Sequence, residues 1–183
     1  MLAIKYLKQY RYDTILMVSD EENEQRMKLI IKGSTEKSKM TGQEKNSLEY
    51  HYQMVRLMAT CCIGENQLVK SFCQNIFDTN EIFEVLLHND IATTFKQCYC
   101  LYLVWAHFND YSSDARRDFQ LEESIWTFIQ ITMKDLRAIF ERDLQDLTKT
   151  NEGRVSLSHV YDSALPLLSS FYDKYYFPDN GVV

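Results

Sequence analysis

Glycine and proline are scarce here: 5 Gly and 2 Pro in 183 residues. Tight hairpins draw on those residues, so the shortage argues against a strand-rich fold. No run approaches the roughly 18 uninterrupted apolar residues that a membrane-spanning helix needs. The longest candidate, 98–108, is shorter and carries His107. Lys/Arg runs long enough to seek an anionic membrane are also missing. No glycine loop cradles phosphate, since Gly33 and Gly42 are too far apart and neither opens a strand–turn–helix unit. The acidic clusters at 20–24 and 143–146 lack the alternating oxygen ligands and central glycine of a calcium loop.

What is present is apolar and aromatic: 45% hydrophobic and 13% aromatic residues describe a packed body of one domain's length, 1–183. The formal net charge is −6. Residues 1–60 hold 10 Lys/Arg against 8 Asp/Glu and residues 61–183 hold 10 against 18, so the second part stands at −8. An acidic body repels phosphate, which speaks against nucleic acid as a partner.

Helical periodicity dominates the rest. Residues 1–20, with Tyr6, Tyr10, Tyr12 and the apolar run 15–18, read as a helix and a turn. Ser19 and Asp20 offer an N-cap to an acidic first turn. That helix carries Met27, Ile30 and Ile31 and is expected to stop at Gly33, before an exposed polar loop over 33–46. A helix over 47–62, capped by Ser47, repeats apolar residues at Leu48, Tyr52, Val55, Met58, Ala59 and Cys62. Gly64 follows as a left-handed cap. A helix over 67–76 presents Leu68, Val69, Phe72 and Ile76, and Asn80 is expected to cap another bearing Ile82, Phe83, Leu86 and Leu87. Asp90 is expected to cap a long helix to Phe108 with Ile91, Phe95, Cys98, Tyr99, Tyr102, Trp105 and Ala106 on one face.

Residues 109–120 form a polar connector, and 121–144 a helix with Ile125, Phe128, Ile129, Met133, Leu136, Ile139 and Phe140 facing inward. The last helix, 155–176, should kink at Pro166, and 178–183 is a frayed tail. Six or seven helices on short links suggest an all-α, armadillo-like superhelix of stacked antiparallel helices; without a fixed repeat period, a compact helical bundle is the alternative.

The chemistry-bearing residues point to packing. Five cysteines, at 61, 62, 73, 98 and 100, sit in apolar helical context, with spacings unlike the two to four spacers of a structural zinc site. An odd count with no signal peptide fits buried free thiols in a reducing compartment. His51, His88, His107 and His159 lie on separate helices, and no glycine-framed nucleophile accompanies any cysteine. The expectation is a non-enzyme without metal or other cofactor. The aromatic row from Tyr99 to Phe108 and Trp126 read as core.

The stretch 50–73 also resembles a family. Tyr50-His51, Met54-Val55, Leu57-Met58-Ala59-Thr60-Cys61, Gly64-Glu65-Asn66 and Cys73 follow the ungapped pattern of the central cytosolic helical region of inositol trisphosphate receptors, which those share with ryanodine receptors. Similarity continues through His88-Asn89-Asp90, Lys96 and Tyr99, and at Ile125-Trp126 with Phe128. Ile63 and Glu65 depart from it, standing where the family has an acidic residue and a lysine. The resemblance implies a scaffold that couples ligand binding to a distant pore in a ligand-gated calcium-release channel. It implies the cytosolic face of the endoplasmic reticulum as location, and the other domains of a larger, tetrameric receptor as partners. The pore segments and the basic ligand pocket are missing from this chain, so it is expected to be a fragment of a larger receptor, with a short relative as the alternative. The competing reading is a free-standing, cytoplasmic armadillo-like adaptor that binds protein segments.

Overall fold

The computed structural model describes residues 20–64, 66–108, 123–142 and 144–174, and every regular element among them is helical. The helix expected over 1–20 with its Ser19 cap, the connector 109–120 and the tail 178–183 lie outside these residues.

Helix α1 spans Asp20–Thr35, and a 3-10 turn, Lys37–Lys39, leads to α2, Gly42–Cys61. Gly33 therefore does not end α1. It is buried inside the helix, where a Cβ would run into the Leu48 side chain of α2. The glycine marks a close helix crossing. The expected exposed loop over 33–46 shrinks accordingly, and Met40 within it is buried. Nor does Ser47 start α2. Thr41 does, through a capping box in which the Glu44 N–H donates to Thr41 Oγ1 (3.2 Å) and the Thr41 N–H to Glu44 Oε2 (2.7 Å). Lys32 of α1 reaches the same carboxylate at 2.6 Å and, as its first cause, holds the acid down at about 2.

Helix α2 buries Leu48, Val55, Met58, Ala59 and Cys62 as its periodicity requires, with His51 and Met54 on the same face. It ends at Cys61, and Gly64 takes φ 104, a region that costs a side-chain-bearing residue dearly. Helix α3, Gln67–Gln74, is capped by Asn66, whose Oδ1 accepts the Val69 N–H at 3.3 Å. It turns Val69, Lys70 and Cys73 inward; Leu68, expected on that face, is 77% exposed.

Asp78, not Asn80, caps α4, Thr79–Leu87, again as a capping box with Glu81. Asp90 does not cap α5, Thr93–Tyr102. Ala92 occupies that position, and its N–H donates to Ser34 Oγ of α1 at 2.9 Å. The helix continues to Phe108 as a π-helical segment, Leu103–Phe108. Helix α6 spans Glu123–Phe140; its face is cut short, since Met133 is 45% and Phe140 75% exposed, while Thr132 is buried with its hydroxyl on the Phe128 carbonyl. Helix α7, Leu144–Lys149, precedes α8, Asn151–His159, which starts at the Thr150 cap, ahead of the start at 155 expected for the last helix. Gly153 of α8 packs so close to the Leu147 carbonyl that a Cβ would collide with it.

A second π segment, Val160–Ala164, joins α8 to α9, Leu165–Lys174. Pro166 has no N–H and its ring crowds the preceding turn; the widened π turn stands immediately before it, with the Leu165 N–H on the Val160 carbonyl.

Helix α5 is the hub. It packs against α2, α4, α8 and the second π segment, and its own π extension packs against α3 and α9. One core results, holding Tyr99, Tyr102, Phe77, Phe83, Phe108, Phe128 and Phe171, with a small satellite of Ile139, Leu147 and Val160.

Candidate functional site

Helices α2, α3 and α5 meet in a polar seam inside the core. His51 is buried, and its Nε2 shares a 2.8 Å hydrogen bond with the Tyr99 hydroxyl. Phe77 lies edge-on to His51 at 6.1 Å between centroids and tilted against Tyr99 at 5.8 Å. Burial, helped by the Arg26 charge, drives His51 down to about 3, so the ring is neutral at neutral pH. The Tyr99 phenol is pushed upward by the same burial. Together they form a hydrogen-bonded pair without a proton to give or take near pH 7.

The end of α3 is fastened to α5. The Tyr102 hydroxyl donates to the Cys73 carbonyl at 2.7 Å, and His107 Nε2 donates to the Phe77 carbonyl at 3.0 Å, fixing the tautomer of that ring. Gln74 returns the contact, its amide donating to the Ala106 carbonyl at 2.7 Å. These bonds tie the end of α3 and the residues that follow it to α5 and its π extension.

Around the seam lie the thiols. Cys62 and Cys73 are buried; interaction with Cys73, together with desolvation, raises the Cys62 thiol, and interaction with Cys62 lowers Cys73. Cys61 is half-buried, and burial raises it. Cys98 donates to the Phe95 carbonyl at 2.9 Å and is pushed up to about 12 by burial; Cys100 is raised for the same cause. All five are free thiols.

The resemblance-bearing residues divide in two. His51, Val55, Ala59, Cys73 and Tyr99 come together in the core. Tyr50 and Cys61 pack at its margin, and Gly64 and Asn66 build the α2–α3 turn. Leu57 is 55% exposed, away from it. His88 and Asp90 sit in the α4–α5 link, where the Asp90 N–H donates to His88 Nδ1 at 3.2 Å. Lys96 is half-buried on α5, and burial lowers it. Trp126 is half-buried on α6 and meets Phe171 edge-on at 5.9 Å, a flank of the core and not its centre.

Sequence reasoning passed over Arg26 and Lys70, both buried. Arg26 stacks 4.7 Å over the Phe77 ring and reaches Glu81 at 3.5 Å, which ties α1 to α4. The signal was available: Arg26 lies four residues before Ile30, and Lys70 three before Cys73, each on a buried helical face.

Among the described residues no three His, Cys, Asp or Glu side chains are grouped to hold a metal ion, and no helix is long and apolar enough to cross a membrane. No protein-family model matches this chain.

Proposed function

We propose that this chain is a non-catalytic helical scaffold of the kind found in the cytosolic coupling region of inositol trisphosphate receptors, a mechanical link within a ligand-gated calcium-release channel. One observation carries the reading. Positions that match the family pattern on three different helices, His51, Cys73 and Tyr99, belong to one core, and His51 and Tyr99 bond directly. A pattern scattered along the chain thus corresponds to a single packed unit. Such a unit moves as a body, because close-packed helices shift between discrete arrangements and do not deform continuously.

In this proposal the partners are the remaining domains of a tetrameric receptor at the cytosolic face of the endoplasmic reticulum. An armadillo-like arrangement of the helices belongs to the proposal too. The packing of α5 against helices from both ends of the described chain supports the compact bundle as its alternative.

The test is to place His51→Ala in the receptor-length polypeptide and to measure inositol phosphate binding and calcium release separately. A coupling element predicts retained binding with reduced release. Unchanged release, or calcium release by a polypeptide lacking 20–174, sinks the proposal.

A free-standing protein-binding adaptor is the second reading, favoured by Leu57, Ile63 and Leu68 around the α2–α3 turn, which are 55%, 52% and 77% exposed. The flanking coding sequence separates the two: a pair of β-trefoils upstream and six apolar spans downstream belong to a receptor, and their absence to an adaptor.

A further inference from the structure

Helix α6 turns outward a side that packing within this chain does not explain. Met133 and Phe140, whose periodicity assigns them to the inner face, are instead largely exposed. At 3.6 residues per turn they stand about 20° apart around the axis and about 10 Å apart along it. The buried residues Ile125, Phe128, Thr132 and Ile139 lie roughly 80–140° to one side of Met133. Arg137 and Lys134, both exposed, lie about 40° and about 100° to the other side, and exposed Arg142 follows the helix end. Among the described residues none of these three cations has an ion pair. Of the acids between 130 and 142, Asp135 is half-buried and Glu141 exposed. Asp146 of α7 is engaged by Lys149 at 2.6 Å.

We propose that this ridge, Met133 and Phe140 edged by Lys134, Arg137 and Arg142, docks an acidic amphipathic helix of another protein. The apolar pair sets the register, because anchors two turns apart match positions i and i+7 of a partner helix lying along α6. The cations set the charge. The chain as a whole stands at −6, yet the exposed side chains of the ridge are mostly basic. Exposed charges more than about 8–10 Å away are largely screened at physiological salt. A narrow acidic segment confined to the ridge therefore meets the unpaired cations and not the acidic body. An anionic bilayer fits less well, since a broad surface faces that body too.

The two kinds of contact have different tasks. Burying the Phe140 ring and the Met133 thioether removes apolar surface from water and supplies the affinity. Rim charges steer the encounter and select against basic partners while adding less to the affinity itself. The ridge lies on a different helix from Leu57, Ile63 and Leu68, and the inference holds whether the chain is a piece of a receptor or stands alone.

The probe that tests it is a fluorescein-labelled, alanine-rich peptide of about 18 residues, long enough to hold a helix in water. It carries leucines at two-turn spacing and glutamates along one flank of them. Its anisotropy is expected to rise on titration with the full chain, and the affinity to fall at least about fivefold between about 50 and 500 mM salt. Phe140→Ser and Arg137→Glu should each weaken binding about tenfold. Both positions face solvent, so the variants are expected to fold, which circular dichroism checks. Lys45→Glu, at an exposed position on α2, makes the same charge change as Arg137→Glu and should leave the affinity within about twofold. No binding, equal losses for Lys45→Glu and Arg137→Glu, or equal binding of the peptide with glutamine in place of leucine overturns the proposal. So does displacement of the peptide by phosphatidylserine vesicles, which would make the ridge a membrane surface. Self-association of the chain that Phe140→Ser abolishes overturns it as well, since a second copy would then cover the ridge.

Discussion

His51 Nε2 and the Tyr99 hydroxyl lie 2.8 Å apart inside the protein, each the other's polar partner across the α2–α5 interface. Neither group reaches water, so removing one strands the other. Tyr99→Phe should therefore lower stability by about 1–3 kcal/mol, the cost of a buried polar group left unpaired. Urea unfolding checks it; an unchanged midpoint would mean that the pair contributes nothing.

The buried histidines make stability fall on the acid side. His51 and His159 are held neutral by burial, at about 3 and about 4 against an ordinary value of 6.5. Their folded values are depressed, so between roughly pH 6.5 and 4 the unfolded chain binds more protons. Stability is then full above about pH 6.5 and declines as pH falls through the window, by at most about 1.4 kcal/mol per pH unit for each histidine. His159→Gln should flatten the decline, read from urea midpoints at a series of pH values. An equal slope in wild type and variant would contradict this origin.

Gly64→Val places a β-branched residue at φ 104, with open space around the new Cβ. Backbone strain alone operates there, and the expected loss is about 1–3 kcal/mol. Gly64→Asn should lose less, since asparagine tolerates positive φ. Equal melting temperatures for the two variants would show that strain at this turn is not what destabilises.

Gly33 and Gly153 offer a paired comparison. Alanine at 33 meets the flexible end of Leu48, whereas alanine at 153 meets the backbone carbonyl of Leu147. A side chain can rotate aside and a carbonyl in a helix cannot. Gly153→Ala should be the more destabilising, by about 1–3 kcal/mol as overpacking costs. Thermal unfolding of both variants provides the measurement, and the reverse order would refute the crossing geometry.

Phe171→Ala should cost about 3–5 kcal/mol, because that ring is fully buried and backs onto Phe108 and Trp126. Trp126→Ala should cost clearly less, since the indole is only half-buried. Chemical denaturation of the two variants ranks them; a larger loss for Trp126 would move it to the centre of the core.

How far the sequence speaks depends on the range of the interaction concerned. The buried face of α2 follows from spacing alone, because burial selects residues at three- and four-residue steps. The turn at Gly64 follows from the conformational freedom of one residue. Helix starts read less well. Thr41 with Glu44, and Asp78 with Glu81, are capping boxes inside polar stretches where several residues could serve, and Ser47 and Asn80 looked equally able. Leu68 looked like core because its type was weighed without its neighbours; Val69 and Cys73 fix the inner face of α3 and leave Leu68 outside. Partnerships across the chain, such as His51 with Tyr99 or Tyr102 with the Cys73 carbonyl, have no local signature at all. Nor do the π segments, whose i→i+5 bonds depend on what packs against them.

The first π segment has a consequence for how this protein can change over time. Tyr102 and His107 are five positions apart, and on an ordinary helix they would diverge by roughly 140° around the axis. The wider π turn, with its smaller angular step per residue, brings both to the foot of α3, where they hold the carbonyls of Cys73 and Phe77. Deleting one residue between them would restore a regular helix and swing the imidazole off its acceptor. A residue gained or lost across 103–106 should therefore disturb these two contacts more than a change of side chain there: what the joint depends on is a count, not a letter.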